Sequence, residues 1–188
     1  MFSSLKFKVI LFGFIFTFFS SFGQSYFLGL FNSSIREALS ITHGQFGSIY
    51  ASATLCSSLL LIWVGKKIDD VNIFKFAFFV TILLSFACFF FSRVTSVFLL
   101  FIAIFLMRFS GQGMMSHTAS TTISRYFTKT RGRALSISWF GLSSAEFIMP
   151  VLMVYLLTII DWQNLWLIFS ISVLIILPIA SFLLIKNL

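Results

Sequence analysis

Two ionisable side chains lie deep inside apolar stretches of this 188-residue sequence. Arg108 and Glu146 each lie about eleven or twelve residues into such a stretch, which at about 1.5 Å per helical residue is near the middle of a membrane. Placing either charge there costs about 2.5–3.5 kcal/mol. Such residues usually face the interior of a helix bundle and mark a path for solutes or protons. We expect both to face a shared hydrated cleft, with a purely architectural ion pair as the alternative.

Other residues near these charges have types that suit a transport path. Gln24, Tyr50 and Gln112 are placed to line the same cleft, and Pro150 lies four residues after Glu146. A proline at that position removes the hydrogen bond to the Glu146 carbonyl and kinks the helix. The sequence therefore predicts a kinked, hydrated acid beside a basic residue.

Polar residues recur at helical spacing in four of the apolar stretches, so each set shares one face of its helix. The four stripes are Thr17, Ser20, Ser21 and Gln24; Tyr50, Thr54, Ser57 and Ser58; Arg108, Gln112 and Met115; and Trp139, Ser143, Glu146 and Pro150. Ser and Thr also serve as packing residues between membrane helices. For His117 we expect such a packing role.

Six apolar stretches position these residues. Charged residues make up 10% of the chain and hydrophobic residues 59%, with a mean hydropathy of +1.05. About 20 apolar residues cross a bilayer as a helix, and the runs are continuous rather than alternating. The sequence predicts an all-α membrane protein, with residues 1–188 forming a single bundle of six transmembrane helices. The predicted spans are 9–31, 45–64, 74–92, 97–123, 134–160 and 165–185.

The polar stripes and the charges predict the arrangement and the orientation of the spans. The third and sixth spans lack stripes, so we expect the six helices to form two groups of three, each with its third helix on the outside. An inverted repeat, in which the two groups have opposite orientations in the membrane, would give this 3+3 pattern. Lys and Arg remain cytoplasmic in short loops, so both termini are expected in the cytoplasm and the protein in the plasma (inner) membrane. Of the basic residues at the ends of the spans or outside them, two are on the outer side, Arg36 and Arg93, and ten on the cytoplasmic side: Lys6, Lys8, Lys66, Lys67, Lys75, Arg125, Lys129, Arg131, Arg133 and Lys186.

Several other classes of protein fit the sequence poorly. A cleaved signal peptide after Lys6 and Lys8 is disfavoured because the apolar stretch runs on to Phe31, beyond a typical signal sequence. An intramembrane enzyme is disfavoured because the histidines, His43 and His117, stand near no serine nucleophile motif and no metal-ligand spacing. We expect no cofactor, no metal and no nucleic-acid partner, and Cys56 and Cys88 as packed thiols.

Several motifs, in this order along the chain, resemble the N-terminal half of a major facilitator superfamily transporter. The segment from Gly65 to Asp69 resembles the superfamily's loop signature after the second helix, in which an Asp follows a Gly by four residues, although Asp70 stands where a basic residue is usual and Asn72 and Ile73 stand at the later Gly and Arg positions. Arg108–Gly113 is similar to its Arg-then-Gly motif in the fourth helix. The segments 23–27, 124–127, 131–135 and 161–163 look like monocarboxylate and oxalate/formate-type members.

The resemblance implies secondary active transport of a small solute, such as a carboxylate, by alternating access with proton coupling. Arg108 would hold an anion or tune Glu146, Glu146 would carry protons, and Gly65 and Asp69 would gate the path. Members usually have two six-helix halves, so a C-terminal half or a second copy is the expected partner. A nonfunctional fragment, or a membrane assembly or regulatory subunit, is the alternative function.

Overall fold

A computed structural model of the chain describes residues 4–186, apart from the side chain of Asp69, as a helical bundle. Long helices alternate with short connections. The α-helices are α1 (Ser4–Ser20), α2 (Ser25–Leu30), α3 (Asn32–Leu39), α4 (His43–Val64), α5 (Ile73–Ser92), α6 (Val97–Met107), α7 (Ser116–Tyr126), α8 (Arg131–Leu156) and α9 (Trp162–Ile185). Ser21–Gly23 and Gly65–Asp69 are 3₁₀ turns, and Arg108–Met115 is π-helical.

Six of the helical stretches in the described residues are long and apolar enough to cross a membrane, as predicted. They are Ser4–Gly23, His43–Ile68, Ile73–Ser92, Val97–Tyr126, Arg131–Leu156 and Trp162–Ile185, and we call them the first to sixth spans. The first differs most from its prediction, because the helix breaks at Ser21–Gly23 and the chain continues as α2 and α3 instead of one helix to Phe31.

The helix pairings have the symmetry of an inverted repeat. The first span packs against the fifth and sixth, just as the fourth packs against the second and third, while the third and sixth pack against each other. Successive spans run in opposite directions because their connections are short, so the first and fourth are antiparallel. This is the arrangement that two inverted groups of three helices would give.

The first and fourth spans approach each other closely at two glycines. A Cβ atom added to Gly111 would lie 2.7 Å from the backbone N of Gly23, and one added to Gly23 would lie 2.8 Å from the Gly111 Cα. Both helices are irregular here: the first ends in its 3₁₀ turn with Gln24 extended, and the fourth is π-helical. Small residues allow this approach, and the irregular backbone leaves polar groups for other partners.

Serine and threonine hydroxyls form hydrogen bonds between neighbouring helices. Ser85 on α5 and Ser170 on α9 each donate to the other's carbonyl, at 2.9 and 2.8 Å. The Oγ1 of Thr17 on α1 donates to the carbonyl of Ser138 on α8 at 2.6 Å. Thr17, Ser20 and Ser21 are all fully buried. This part of the first stripe therefore packs between helices, the alternative role that we gave such residues, and does not line a cleft.

The second and fifth spans, rather than the third and sixth, have the least buried surface. Trp63 on α4 is 76% exposed and Phe147 on α8 is 83% exposed. The third and sixth spans do present an apolar outer face, with Phe79 and Ile179 among its residues, but their other faces are buried against each other and the bundle. The expectation that these two spans form the outer wall is thus incomplete, because apolar composition does not distinguish lipid from a protein partner.

We predict that Gly111→Ala lowers the stability of the bundle. The added methyl group would meet the backbone of Gly23, which cannot rotate away, and overpacking of this kind costs about 1–3 kcal/mol. Gly29→Ala is the matched control, since a Cβ there meets no atom within 4 Å. Thermal unfolding of the purified variants, followed by tryptophan fluorescence, measures the effect. A Gly111→Ala melting temperature equal to that of Gly29→Ala would contradict the close approach.

Candidate functional site: a polar cleft at Arg108

Arg108 lies at the crossing of the first and fourth spans and is held by the broken backbone. It is the first residue of the π-helical segment, and its side chain is 8% exposed. Its Nη1 donates to the carbonyl of Gly23 at 2.9 Å and to the Oγ of Ser25 at 3.2 Å. The carbonyl of Gly23 is available because the helix breaks at Gln24. The helix break therefore provides the acceptor for Arg108, and Arg108 provides the donor for the carbonyl that the break leaves free.

Tyr50 connects the second span to the same arginine. Its ring lies 5.4 Å from the Arg108 guanidinium carbon, within the range of a cation–π interaction. Its hydroxyl donates to the Oγ of Ser25 at 2.9 Å. Ser25 thus accepts hydrogen bonds from both Tyr50 and Arg108, and one hydroxyl links the first, second and fourth spans.

A cleft opens beside Arg108 between the second and fourth spans. Its volume is about 170 Å³, close to the liquid volume of about six water molecules at ~30 Å³ each. The residues that line it are Ser57, Ser58, Leu61, Arg108, Gln112 and Gly113. Four of the six are polar in a bundle whose interior is mainly apolar. Gln112, which we expected to line a path for the solute, lies beside Arg108 in this cleft, and its role there stays a prediction.

Two polar atoms of the residues lining the cleft have no hydrogen-bond partner among the described residues. They are the Nε of Arg108 and the Oε1 of Gln112, and both atoms are buried. Leaving such groups unpaired costs about 1–3 kcal/mol each, and more for a charged group. Both atoms are closed to a water-sized probe, so a group in the cleft reaches them only if the side chains of Arg108 and Gln112 move.

Glu146 lies apart from this cleft. It is exposed on α8, and among the residues that the structure describes no ion pair joins it to Arg108. It is close enough to Tyr26 for an electrostatic interaction, and the buried hydroxyl of Tyr26 also lies close to that of Ser21. Because Ser25 contacts Arg108 while Tyr26 lies near Glu146, the start of α2 lies between the two charges. The described residues show no contact between the two charges, and a cleft shared by Arg108 and Glu146 stays a prediction.

Gln24 and Pro150 occupy positions of irregular or altered hydrogen bonding. Gln24 is the extended residue between the 3₁₀ turn and α2, and its side chain is partly buried. It is not among the residues that line the cleft beside Arg108. Pro150 lies inside α8, which remains helical through it to Leu156. Its ring still removes one backbone hydrogen bond in the turn that contains Glu146.

The turn at Gly65–Asp69 is fastened to the fourth span. The His117 ring nitrogen Nε2 lies 2.9 Å from the carbonyl of Gly65, and the Nη2 of Arg125 donates to the carbonyl of Ile68 at 2.7 Å. Ile68 is fully buried. The hydrogen bond of His117 joins the fourth span to the end of the second, which is compatible with the helix-packing role that we expected for it. The side chain of Asp69 lies outside the described residues, and the gating role of Gly65 and Asp69 stays a prediction.

Sequence reasoning missed the residues that hold Arg108 in place. The partners of its guanidinium are a backbone carbonyl at Gly23 and the hydroxyl of Ser25, neither of which we had placed in the site. A signal was present, since Gly111 and Gly113 follow Arg108 closely and Gly23 precedes Ser25. Glycines in a membrane helix allow close approach of another backbone, but the partner helix cannot be identified from one sequence.

We predict that Tyr50→Phe lowers stability through the loss of one hydrogen bond. The ring would still cover Arg108, but the bond to Ser25 would be absent, which costs about 0.5–1.5 kcal/mol. Tyr155→Phe is the control, because Tyr155 is 64% exposed on α8. The measurement is the thermal unfolding of both variants in detergent. If they unfold at the same temperature, the Tyr50–Ser25 hydrogen bond does not support the site.

Comparison with known proteins assigns the chain to a family. A model of the Major Facilitator Superfamily matches residues 13–187, nearly the whole chain. No curated protein and no solved structure matches it. Because the match covers nearly the whole chain and the structure has six apolar helices of membrane-spanning length, the chain belongs to the Major Facilitator Superfamily, whose members are multi-pass membrane transporters.

Proposed function

We propose that this chain forms half of the transport path of a secondary active transporter for a small anionic solute, such as a small carboxylate. The observation that carries the proposal is the buried guanidinium of Arg108, which lines a polar cleft in the middle of the fourth span and keeps its Nε unpaired. A cation in this setting favours an anion as its ligand, because the surrounding helices exclude most of the water that would screen the charge.

In this proposal the neighbouring residues have separate roles. Gln112 contacts the solute, Tyr50 and Ser25 orient Arg108, and Gln24 allows the first span to bend at its break. The likeness of the segments 23–27, 124–127 and 131–135 to monocarboxylate and oxalate/formate-type transporters supports a carboxylate as the solute. The excess of basic residues at one side supports an orientation with both termini in the cytoplasm, in the plasma (inner) membrane.

Glu146 is the proposed proton carrier. An exposed carboxyl group on a membrane helix requires water or a protein partner, since lipid cannot solvate its ionised form. It stands near the Tyr26 hydroxyl rather than beside Arg108. Protonation of Glu146 would therefore affect the solute site through the start of α2, which also carries Ser25.

We predict that the reconstituted protein takes up a small carboxylate when the pH gradient is inward-acidic. Arg108→Gln should reduce uptake at least about tenfold, since a charge-assisted hydrogen bond contributes about 1.5–3 kcal/mol. Glu146→Gln should retain solute exchange but lose the dependence on the pH gradient. The assay is radiolabelled uptake into proteoliposomes.

Arg93→Gln is the matched control for the loss of a positive charge, because Arg93 is exposed at the end of the third span. The roles assigned to Arg108 and Glu146 are wrong if uptake in both variants equals that of Arg93→Gln.

We propose a second copy of this chain as the partner that covers the second and fifth spans. Their exposed faces combine apolar side chains such as Trp63 and Phe147 with the charge of Glu146. A face of that composition suits a protein partner with a hydrated cavity better than lipid. Two six-helix units would also provide the two bodies that alternating access requires.

Cys56 provides a test of this assembly. It is exposed on α4, so our expectation of a packed thiol is wrong for Cys56, whereas Cys88 is buried. A short bis-maleimide should therefore produce a crosslinked dimer of the purified protein, which Cys56→Ser abolishes and Cys88→Ser does not. A monomeric native mass together with no crosslink would count against the second copy as the partner.

A further inference from the structure

A group of basic residues lies where the first and fifth spans begin. These two spans pack side by side, since the Oγ1 of Thr17 donates to the carbonyl of Ser138. Nearer their first residues, Val9 on α1 and Ala134 on α8 belong to one buried apolar cluster, together with Phe127. The two spans therefore run parallel, with their first residues at the same end of the bundle.

Lys6 and Arg131 lie just beyond this apolar cluster. Lys6 precedes Val9 by three residues. The same spacing separates Arg131 from Ala134. Residues three apart share a helix face, so both basic residues are on the faces where α1 and α8 meet. The Nζ of Lys6 is 5.8 Å from the centroid of the Phe127 ring. The two positive charges are therefore at one corner of the bundle.

Three further basic residues are next to these two in the sequence. We call the five residues the basic cluster: Lys6, Lys8, Lys129, Arg131 and Arg133. All five are exposed, and none has a hydrogen bond or an ion pair within the described part of the chain. Residues 4–9 and 123–134 contain no acidic residue, so these two segments supply no carboxylate that would balance the charge.

The orientation of the helices does not require this concentration of charge. Basic residues orient a membrane protein wherever they lie on the cytoplasmic side. Residues 65–75, on the same side as the cluster, contain three lysines but also two aspartates. Arg131 and Arg133 are moreover in the first turn of α8, where the helix dipole disfavours cations. An anion from outside the chain would reduce both this cost and the repulsion among the five charges.

We propose that the basic cluster binds the phosphate group of an anionic phospholipid. The cluster is at the end of two membrane-spanning helices, which is the depth of the lipid headgroups. Leu5 and Phe7, on either side of Lys6, are 48% and 61% exposed, and they would contact the acyl chains. A zwitterionic lipid fits less well, because its own ammonium group would meet the positive charges of the cluster. This inference does not depend on the transported solute.

The experiment is a titration of the purified full chain, in a nonionic detergent, with two lipids that have the same acyl chains. Dioleoylphosphatidylglycerol is anionic, whereas dioleoylphosphatidylcholine is zwitterionic. Each basic residue near an anionic headgroup raises affinity about fivefold, so we expect phosphatidylglycerol to bind at least about tenfold more tightly. Native mass spectrometry of the protein–lipid complexes measures both affinities, and equal affinities would overturn the proposal.

Variants of the protein assign the binding to the cluster. Arg131→Gln combined with Arg133→Gln should lower the affinity for phosphatidylglycerol roughly twentyfold, and Lys6→Gln combined with Lys8→Gln, on the other helix, should give a similar loss. The matched control is Lys66→Gln combined with Lys67→Gln. It removes the same charge from the same side, but the aspartates of that segment already offset its lysines, so the affinity should change little.

An equal loss in all three double variants would overturn the assignment to this corner of the bundle. Thermal unfolding without lipid should be the same for the three, since all six substituted residues are exposed.

A soluble phosphate ester distinguishes the lipid from a free anion. Glycerol 3-phosphate has a phosphate group like that of the lipid but lacks the acyl chains. It should not displace phosphatidylglycerol at equal concentration, because Leu5 and Phe7 would contribute nothing to its binding. Displacement at equal concentration would overturn a lipid as the ligand of the basic cluster.

Discussion

The hydrogen bond from the Arg108 guanidinium to the carbonyl of Gly23 is the interaction on which the site depends. It forms where the first span stops being an α-helix and the fourth becomes π-helical. In a membrane a free carbonyl and a free guanidinium are both costly, and each here satisfies the other. The close approach of Gly23 and Gly111 brings the two backbones near enough for this contact. One crossing thus fixes the helices and places a positive charge at mid-membrane.

The rest of the bundle supports that crossing with contacts suited to an apolar solvent. Where lipid surrounds the helices there is little hydrophobic drive to bring them together, so close packing and hydroxyl hydrogen bonds have to hold them. The reciprocal bonds of Ser85 and Ser170 fasten the third span to the sixth, and Thr17 fastens the first to the fifth. These contacts leave the second and fifth spans with exposed faces. Glu146 is on one of these faces, among exposed apolar side chains such as Phe147.

The sequence was sufficient to predict the six spans, because the length of an apolar run is set directly by the thickness of the membrane. It also placed Arg108 in the middle of the fourth span and Gln112 on the same face. The helix break at Ser21–Gly23 and the π-helical segment could not be predicted from the sequence, since both depend on a backbone contact with another helix. For the same reason Ser25, a hydroxyl among many, could not be recognised as the partner of Arg108.

Helical spacing was a weaker guide to which polar residues face water. The stripe of the first span contained Thr17 and Ser20, which are buried between helices, whereas that of the second contained Ser57 and Ser58, which line the cleft. Periodicity identifies a shared face but not the neighbour of that face. The distance between Arg108 and Glu146 was likewise underdetermined, because similar depth in a membrane does not fix position around the bundle.

The measurement that tests the account most directly is the accessibility of a thiol in the cleft. Ser58→Cys in a Cys56→Ser background places a reactive group beside Arg108 without altering the arginine. We predict that a membrane-impermeant maleimide labels this thiol from water, that a small organic anion at saturating concentration slows the labelling, and that the anion has no effect when Arg108 is replaced by glutamine. A thiol that water-borne reagent never reaches, or labelling that anions slow equally without Arg108, would contradict an anion site in this cleft.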